Sequence, residues 1–276
     1  MSPFKHPKVT YGFPTDPYDN KVVNEYTEDL SIALGLKRQP VGVKLIFDEE
    51  SYSKISVPEI RGKISYCCMV EKATRGIGSK SILKHHNCDG GTTALGLEES
   101  TDRIESGEEY FSYNLYATPA AARRTREGVP GLYRTGVKTY GLLIQPLNAF
   151  NLYPDIVILM VNPYQAMRIQ QGYIYHGGGR INTSGAAMQA ICAEATVEPY
   201  LCGRMNSTTL CPSTRFLAKW KDEEMAIGLP FEHFVSMVEG VMATINTTDL
   251  LQRKKEIAAR FAVRGKTMKL DLGQKQ

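Results

Sequence analysis

The side chains best suited to chemistry in this 276-residue chain are its six cysteines, Cys67, Cys68, Cys88, Cys192, Cys202 and Cys211. In a reducing compartment thiols are kept as metal ligands, nucleophiles or small core residues rather than as disulfides. Cys88 and Cys211 stand directly before turn-forming residues, Asp89-Gly90-Gly91 and Pro212-Ser213, where packing alone would favour an ordinary hydrophobe. Cys67 and Cys68 fall in the first turn of a predicted helix, whose free N–H groups and positive end stabilise a thiolate. Cys192 lies in a small-residue helix. Cys202, beside Gly203, has no counterpart and reads as structural. Twenty residues separate Cys68 from Cys88 and nineteen separate Cys192 from Cys211, and this match selects Cys68 over its neighbour Cys67.

Four thiolates, here Cys68, Cys88, Cys192 and Cys211, form the usual ligand set of an iron–sulfur cluster, 4Fe-4S foremost, and structural zinc takes the same set. Compact C-x2-C knuckles are absent, so the ligands come from separated elements. That favours a cluster held between two parts of the fold, with zinc as the lesser alternative.

His85 and His86, just before Cys88, are candidate proton donors or hydrogen-bond partners of a cluster. Arg215, four residues after Cys211, is a candidate carboxylate clamp, with a salt bridge to Glu223 or Glu224 as the other reading. Together these residues predict an enzyme using a cluster as Lewis acid or redox centre on a small carboxylate- or sulfur-containing substrate, as a lyase, hydratase or desulfurising enzyme. The alternatives are a redox or metal sensor, an electron-transfer protein, or a metal-free enzyme with Cys88 as nucleophile beside His86. Gly177-Gly178-Gly179-Arg180 lacks the Lys-Ser or Lys-Thr pair of a phosphate loop, and neither a dinucleotide-binding glycine fingerprint nor G-x-S-x-G occurs.

The elements that must position these residues follow from periodicity. Helical spacing predicts helices over 21–36, with Gly35 as a stop, over 66–76 beginning near Ser65, over 119–128, over 163–175, over 184–196 with Cys192 in it, and from Pro230. Apolar runs predict strands at 41–47 and 155–161, with further strands at 110–116, near Thr209, at Phe216–Trp220 and at Glu223–Leu229. The pattern strand, helix cysteine, loop cysteine, strand occurs twice, and Pro119–Gly128 pairs with Pro230–Gly240 as the closing helix of each half. This predicts an α+β fold, with mixed α/β as the alternative, in two similar halves about a pseudo-twofold axis. The expected division is an N-terminal extension at 1–20, halves at 21–150 and 151–246, and a C-terminal helix with basic tail at 247–276.

With 42% hydrophobic and 22% charged residues the chain can bury a sizeable core without disulfides. Its formal charge of +4 is concentrated in the tail, from Lys254 to Lys269, and reads as a solubility feature. No basic stripe interleaved with aromatics points to nucleic acid. Residues 1–20 lack the apolar core of a signal peptide, and the run Ile156–Val161 is far below the roughly 20 residues of a membrane helix, so a soluble, cytoplasmic protein is expected. A small-molecule substrate or redox partner is expected, and the segment around Met237 and Met242 offers a surface for a homo-oligomer.

Asn87–Glu99 (NCDGGTTALGLEE), the preceding YCCMVEKATRG, ICAEATVEPYL and LCPSTRF at 210–216 together resemble the bacterial and archaeal family called domain of unknown function 169, over nearly the whole chain. The resemblance implies cysteine-based redox or metal chemistry without an assigned reaction. Its four cysteine positions map onto Cys68, Cys88, Cys192 and Cys211, and Cys67 and Cys202 depart from it.

Overall fold

The computed structural model describes residues 19–272, so all but the last two residues of the expected 1–20 extension lie outside the described part. Among the described residues six strands form one antiparallel sheet with helices on both faces, an α+β architecture. In chain order they are β1 (Val41–Ile46), β2 (Ser79–Ile82), β3 (Gly141–Pro146), β4 (Ile156–Val161), β5 (Asn206–Thr208) and β6 (Met225–Pro230). Across the sheet the order is β2-β3-β1-β4-β6-β5. The first three strands meet the last three where Val41–Val43 of β1 pairs with Ile156–Ile158 of β4.

Both central strands read as near-continuous apolar runs, VGVKLI and IVILMV, because both their faces are covered. One face, through Val41, Val43, Leu45, Ile156 and Ile158, packs on the cysteine-bearing helices. The other, through Val157, Leu159, Ile227 and Leu229, packs on the helices Asn20–Leu34, Pro163–Ile174, Phe234–Ala243 and Leu251–Val263. Gly172 and Gly240 bring two of these helices into backbone contact, since a Cβ on Gly240 would stand 2.2 Å from the Gly172 carbonyl oxygen.

Several predicted elements take a different form. Residues 110–116 alternate like a strand, yet Glu108–Ser112 is helical, entered through Gly107 at φ +82, and Tyr110 is its buried residue. Phe216 and Leu217 belong to the helix Pro212–Ala218 rather than to a strand, because Cys211 and Pro212 begin a helical turn there. Helix Pro119–Gly128 precedes β3 whereas Phe234–Ala243 follows β6, so the predicted pairing of Pro119–Gly128 with Pro230–Gly240 does not match their places in the chain. Pro146 and Pro230 do occupy like places: each ends a strand with ψ near 137° and leads into a 3-10 turn.

The basic tail is structural rather than merely solubilising. Arg260 donates to the carbonyls of Ile32 and Ala33 at 2.7 and 3.0 Å, satisfying the open C-terminal end of the first helix, and Lys266 pairs with Glu28 and Asp29. Met237 is fully buried in the second core, which removes it from any surface for a second copy.

Candidate functional site

Four cysteines line one cavity of about 260 Å³, and they are Cys67, Cys88, Cys192 and Cys211. Each lies at or next to a helix start. Cys88 and Cys211 are the residues before the helices Asp89–Ala94 and Pro212–Ala218. Cys67 is the second residue of Tyr66–Thr74, capped by Ser65, and Cys192 is the third of a π-helix, Ala190–Val197. The predicted tight turn at Asp89-Gly90-Gly91 is itself the first turn of its helix. Gly91 matters there because a Cβ on it would lie 3.6 Å from the Cys88 Sγ and 4.0 Å from the Cys192 Sγ, so the two thiols converge over a bare backbone. The cavity wall is drawn from positions within 65–115 and 187–217, all of them outside the strands: the first set precedes β3 in the chain and the second precedes β6.

Burial dominates the electrostatics. It pushes the Cys192 thiol well above its ordinary value, and the nearby Cys88 and Cys211 add to the effect. Burial also raises Cys88, with Cys211 adding, while the N–H groups of Gly91 and Gly90 oppose the rise. Cys67 is held protonated by its hydrogen bond to Cys68 and by burial, and its Sγ lies 3.1 Å from the Ser65 hydroxyl. Cys88 and Cys192 are thereby favoured as neutral thiols, and a positive centre bound beside them would favour their ionised form instead. Among the described residues no group of three or more His, Cys, Asp or Glu side chains is arranged to hold a metal ion as it stands.

The remaining predicted residues lie elsewhere. Cys68 is not in the cavity wall; hydrogen bonding from Cys67 lowers its thiol to about 6. His85 and His86 are buried outside the cavity rather than poised beside it. His85 accepts from the Ile82 N–H at 3.1 Å and contacts Glu59 at 3.1 Å. His86 lies 3.0 Å from the Ser81 hydroxyl, and burial, with the neighbouring His85, lowers its pKa to about 4. Arg215 spends its guanidinium on the carbonyls of Thr209, Lys221 and Glu224, at 2.9, 2.6 and 3.0 Å. It fastens the loop before Cys211, in which Leu210 takes the left-handed φ of +74. Cys202 is half-buried, its thiol 3.6 Å from the Arg204 carbonyl.

Two wall residues carried no sequence signal. Gln189 precedes the π-helix in a left-handed conformation, φ +52, and its Nε2 donates to the Gly90 carbonyl. Tyr110 is buried, and its hydroxyl would meet a Gly90 Cβ at 2.8 Å. π-helices and left-handed non-glycine residues both concentrate at functional sites. Tyr66 ties the two cysteine helices together, its hydroxyl 2.8 Å from that of Thr196.

The small helices carrying Tyr110 are anchored by Glu105, which pairs with the fully buried Arg126 at 3.1 Å and with Arg134 at 3.0 Å. Burial alone would raise the Glu105 carboxyl, but the Ser100 and Tyr133 hydroxyls and the two guanidiniums bring it to about 2. Its folded pKa is below the unfolded one, so its stabilisation is complete above roughly pH 4.5 and is lost as the pH falls toward 2. Urea denaturation at pH 6, 4 and 3 is expected to show wild type losing more stability than Glu105→Gln over that window. Equal losses would remove Glu105 as the cause.

The family domain of unknown function 169, described as uncharacterised ArCR, matches residues 29–240. The chain belongs to this family. An uncharacterised protein of Methanocaldococcus jannaschii is 26% identical over 231 residues, covering 81% of this chain and 95% of that relative. No solved structure matches. Among the described residues no helix is long and apolar enough to cross a membrane.

Proposed function

We propose that this family member is an iron–sulfur protein whose cluster is held by Cys67, Cys88, Cys192 and Cys211 and serves as a redox centre. The observation that carries this reading is the meeting of four cysteines, from four separate helix starts, around one cavity. A cavity of about 260 Å³ bordered by thiols, rather than thiols converging on a point, supports a polynuclear cluster over a zinc ion, whose thiolates must all lie about 2.3 Å from one centre. Bare Gly91 leaves room beside two of the sulfurs.

When bound, the cluster would supply one-electron chemistry, and four thiolates would occupy its protein positions. The chain's own contribution is to orient and tune. The N–H groups of Gly90 and Gly91 face Cys88, and that of Ala193 faces Cys192, favouring the thiolates, while burial excludes water. A Lewis-acid lyase has less support, since His85 and His86 cannot pass a proton into the cavity and Arg215 cannot clamp a carboxylate there.

The same reading takes the two halves as a duplication. The strand order supports it: exchanging β1, β2 and β3 for β4, β5 and β6 reverses β2-β3-β1-β4-β6-β5 into itself. Cys67 and Cys192 then fall between the first and second strands of each half, and Cys88 and Cys211 between the second and third.

Anaerobic purification, followed by iron and acid-labile sulfide analysis and electron paramagnetic resonance of the reduced protein, tests the proposal. Roughly four irons and four sulfides per chain are expected. Protein lacking both, even after anaerobic reconstitution with ferrous iron and sulfide, would overturn it.

A further inference from the structure

We propose that the outer wall of the cysteine cavity is a binding site for a small organic cation, a primary ammonium, held by the Gln189 amide oxygen and the Asp89 carboxylate. The inference uses the proposed function only to locate the cavity; its evidence is the rest of the wall. Gln189 is 7% exposed, and its Oε1 is buried without a hydrogen-bond partner, while its Nε2 is engaged by the Gly90 carbonyl. A buried acceptor left unsatisfied is costly unless something supplies a donor, and this one belongs to a residue that lines a cavity.

The charge of the wall says what kind of donor. Among the described residues no Lys, Arg or His lines the cavity, whereas Asp89 and Glu109 do. Glu109 is already paired with Arg103 and with the Tyr113 hydroxyl, which leaves Asp89 as the carboxylate for a ligand. The rings of Tyr110 and Tyr113 complete the wall, and aromatic faces attract cations. An acceptor, a carboxylate and two aromatic rings, with no cationic side chain, suit an ammonium group and repel a carboxylate or phosphate. The expected substrate bearing a carboxylate is therefore replaced by one bearing an amine.

The experiment is anaerobic titration calorimetry of the full-length protein with n-butylammonium chloride and, separately, sodium butyrate. Saturable binding of the ammonium but not of butyrate is expected, about tenfold weaker in Gln189→Leu, the loss appropriate to a hydrogen bond with a charged donor. A loss of about threefold is expected in Asp89→Asn, whose exposed side chain can change without disturbing the fold. Near-UV circular dichroism checks the folding of Gln189→Leu, and if that variant misfolds Asp89→Asn alone decides. Butyrate binding as tightly as the ammonium, wild-type affinity in the properly folded variants, or no saturable ammonium binding, as when a water alone satisfies Gln189, would each overturn the site. Iron and sulfide measured on the same samples score the cluster separately, so either reading can fail without the other.

Discussion

Cys67→Ser is expected to abolish cluster binding, whereas Cys68→Ser leaves iron and sulfide at the wild-type level. Adjacent helical residues diverge by about 100° around the axis, so Cys67 and Cys68 present their thiols in different directions. The helix Tyr66–Thr74 buries Tyr66, Cys67, Met69, Val70, Ala73 and Thr74, and Cys68 lies outside that stripe, which decides which thiol turns inward. Cys67 borders the cavity beside Ser65 and Thr214, and Cys68 is only partly buried and beyond the lining. Serine keeps the size of the side chain and removes the thiolate, so the comparison isolates ligation from packing. Cys88→Ser, Cys192→Ser and Cys211→Ser should behave like Cys67→Ser, and Cys202→Ser like Cys68→Ser. A cluster retained in Cys67→Ser and lost in Cys68→Ser would move the ligand by one residue, and with it the face of the helix directed at the site.

The equal spacing that selects Cys68 in the sequence is instructive about what spacing can carry. Cys88 and Cys211 were legible as candidate site residues because they stand before the turn residues Asp-Gly-Gly and Pro-Ser, whereas Cys192, which taken alone reads as a core residue, was picked out only by its spacing from Cys211. The choice within Cys67-Cys68 was not legible that way. Between the two cysteines of the first half the chain inserts β2 and a 3-10 turn at Leu83–His85, while the second half has the helix Glu198–Cys202 and the short β5, so equal counts do not imply equal positions. The apolar periodicity of the helix itself was the better guide, since Tyr66, Val70 and Ala73 share the side of Cys67.

The central strands and the first helix were readable for a related reason: β1, β4 and Asn20–Leu34 are long and uniformly patterned. Residues 110–116 and 216–220 were not, because in segments of about five residues a single buried aromatic mimics alternation and tertiary contacts set the outcome. His85 and His86 show the limit on the chemical side. Proximity to Cys88 in the chain suggested shared work, yet the turn Leu83–His85 directs both rings into hydrogen bonds with Ile82, Ser81 and Glu59, away from the thiols. A helix carrying Cys192 was legible, but its start at Ala190 and not Ser184, its π form and the left-handed Gln189 before it had no local signal, since a left-handed glutamine is chosen by what the surrounding fold requires.

Gly228→Ala is expected to destabilise the protein by about 3 kcal/mol or more, the upper range for overpacking a rigid site. Gly228 is in β6, opposite Ile158 of β4 and Asn206 of β5, and it faces the π-helix that carries Cys192. A Cβ there would stand 1.8 Å from the Ala195 carbonyl oxygen and 2.5 Å from its carbon. Both obstacles are backbone, so no rotamer change relieves them; either the π-helix lifts or the strand bends. At roughly 2–4 °C per kcal/mol for a chain of this size, the melting temperature should fall by about 6–12 °C. Gly128→Ala is the control, because a Cβ at that helix end meets nothing within 4 Å and its φ is not positive; its change should stay within about 0.5 kcal/mol. Equal behaviour of the two variants in thermal denaturation would refute the close approach. The small residues Ala190, Ala193 and Ala195 serve the same approach from the helix side, all fully buried. Sheet and helix are small where they touch so that the first turn of the π-helix can lie deep enough for Cys192 to reach the cavity shared with Cys67, Cys88 and Cys211. Lifting that helix should therefore lower cluster content in the folded fraction of Gly228→Ala as well as its stability, an effect that a merely structural contact remote from the site would not produce.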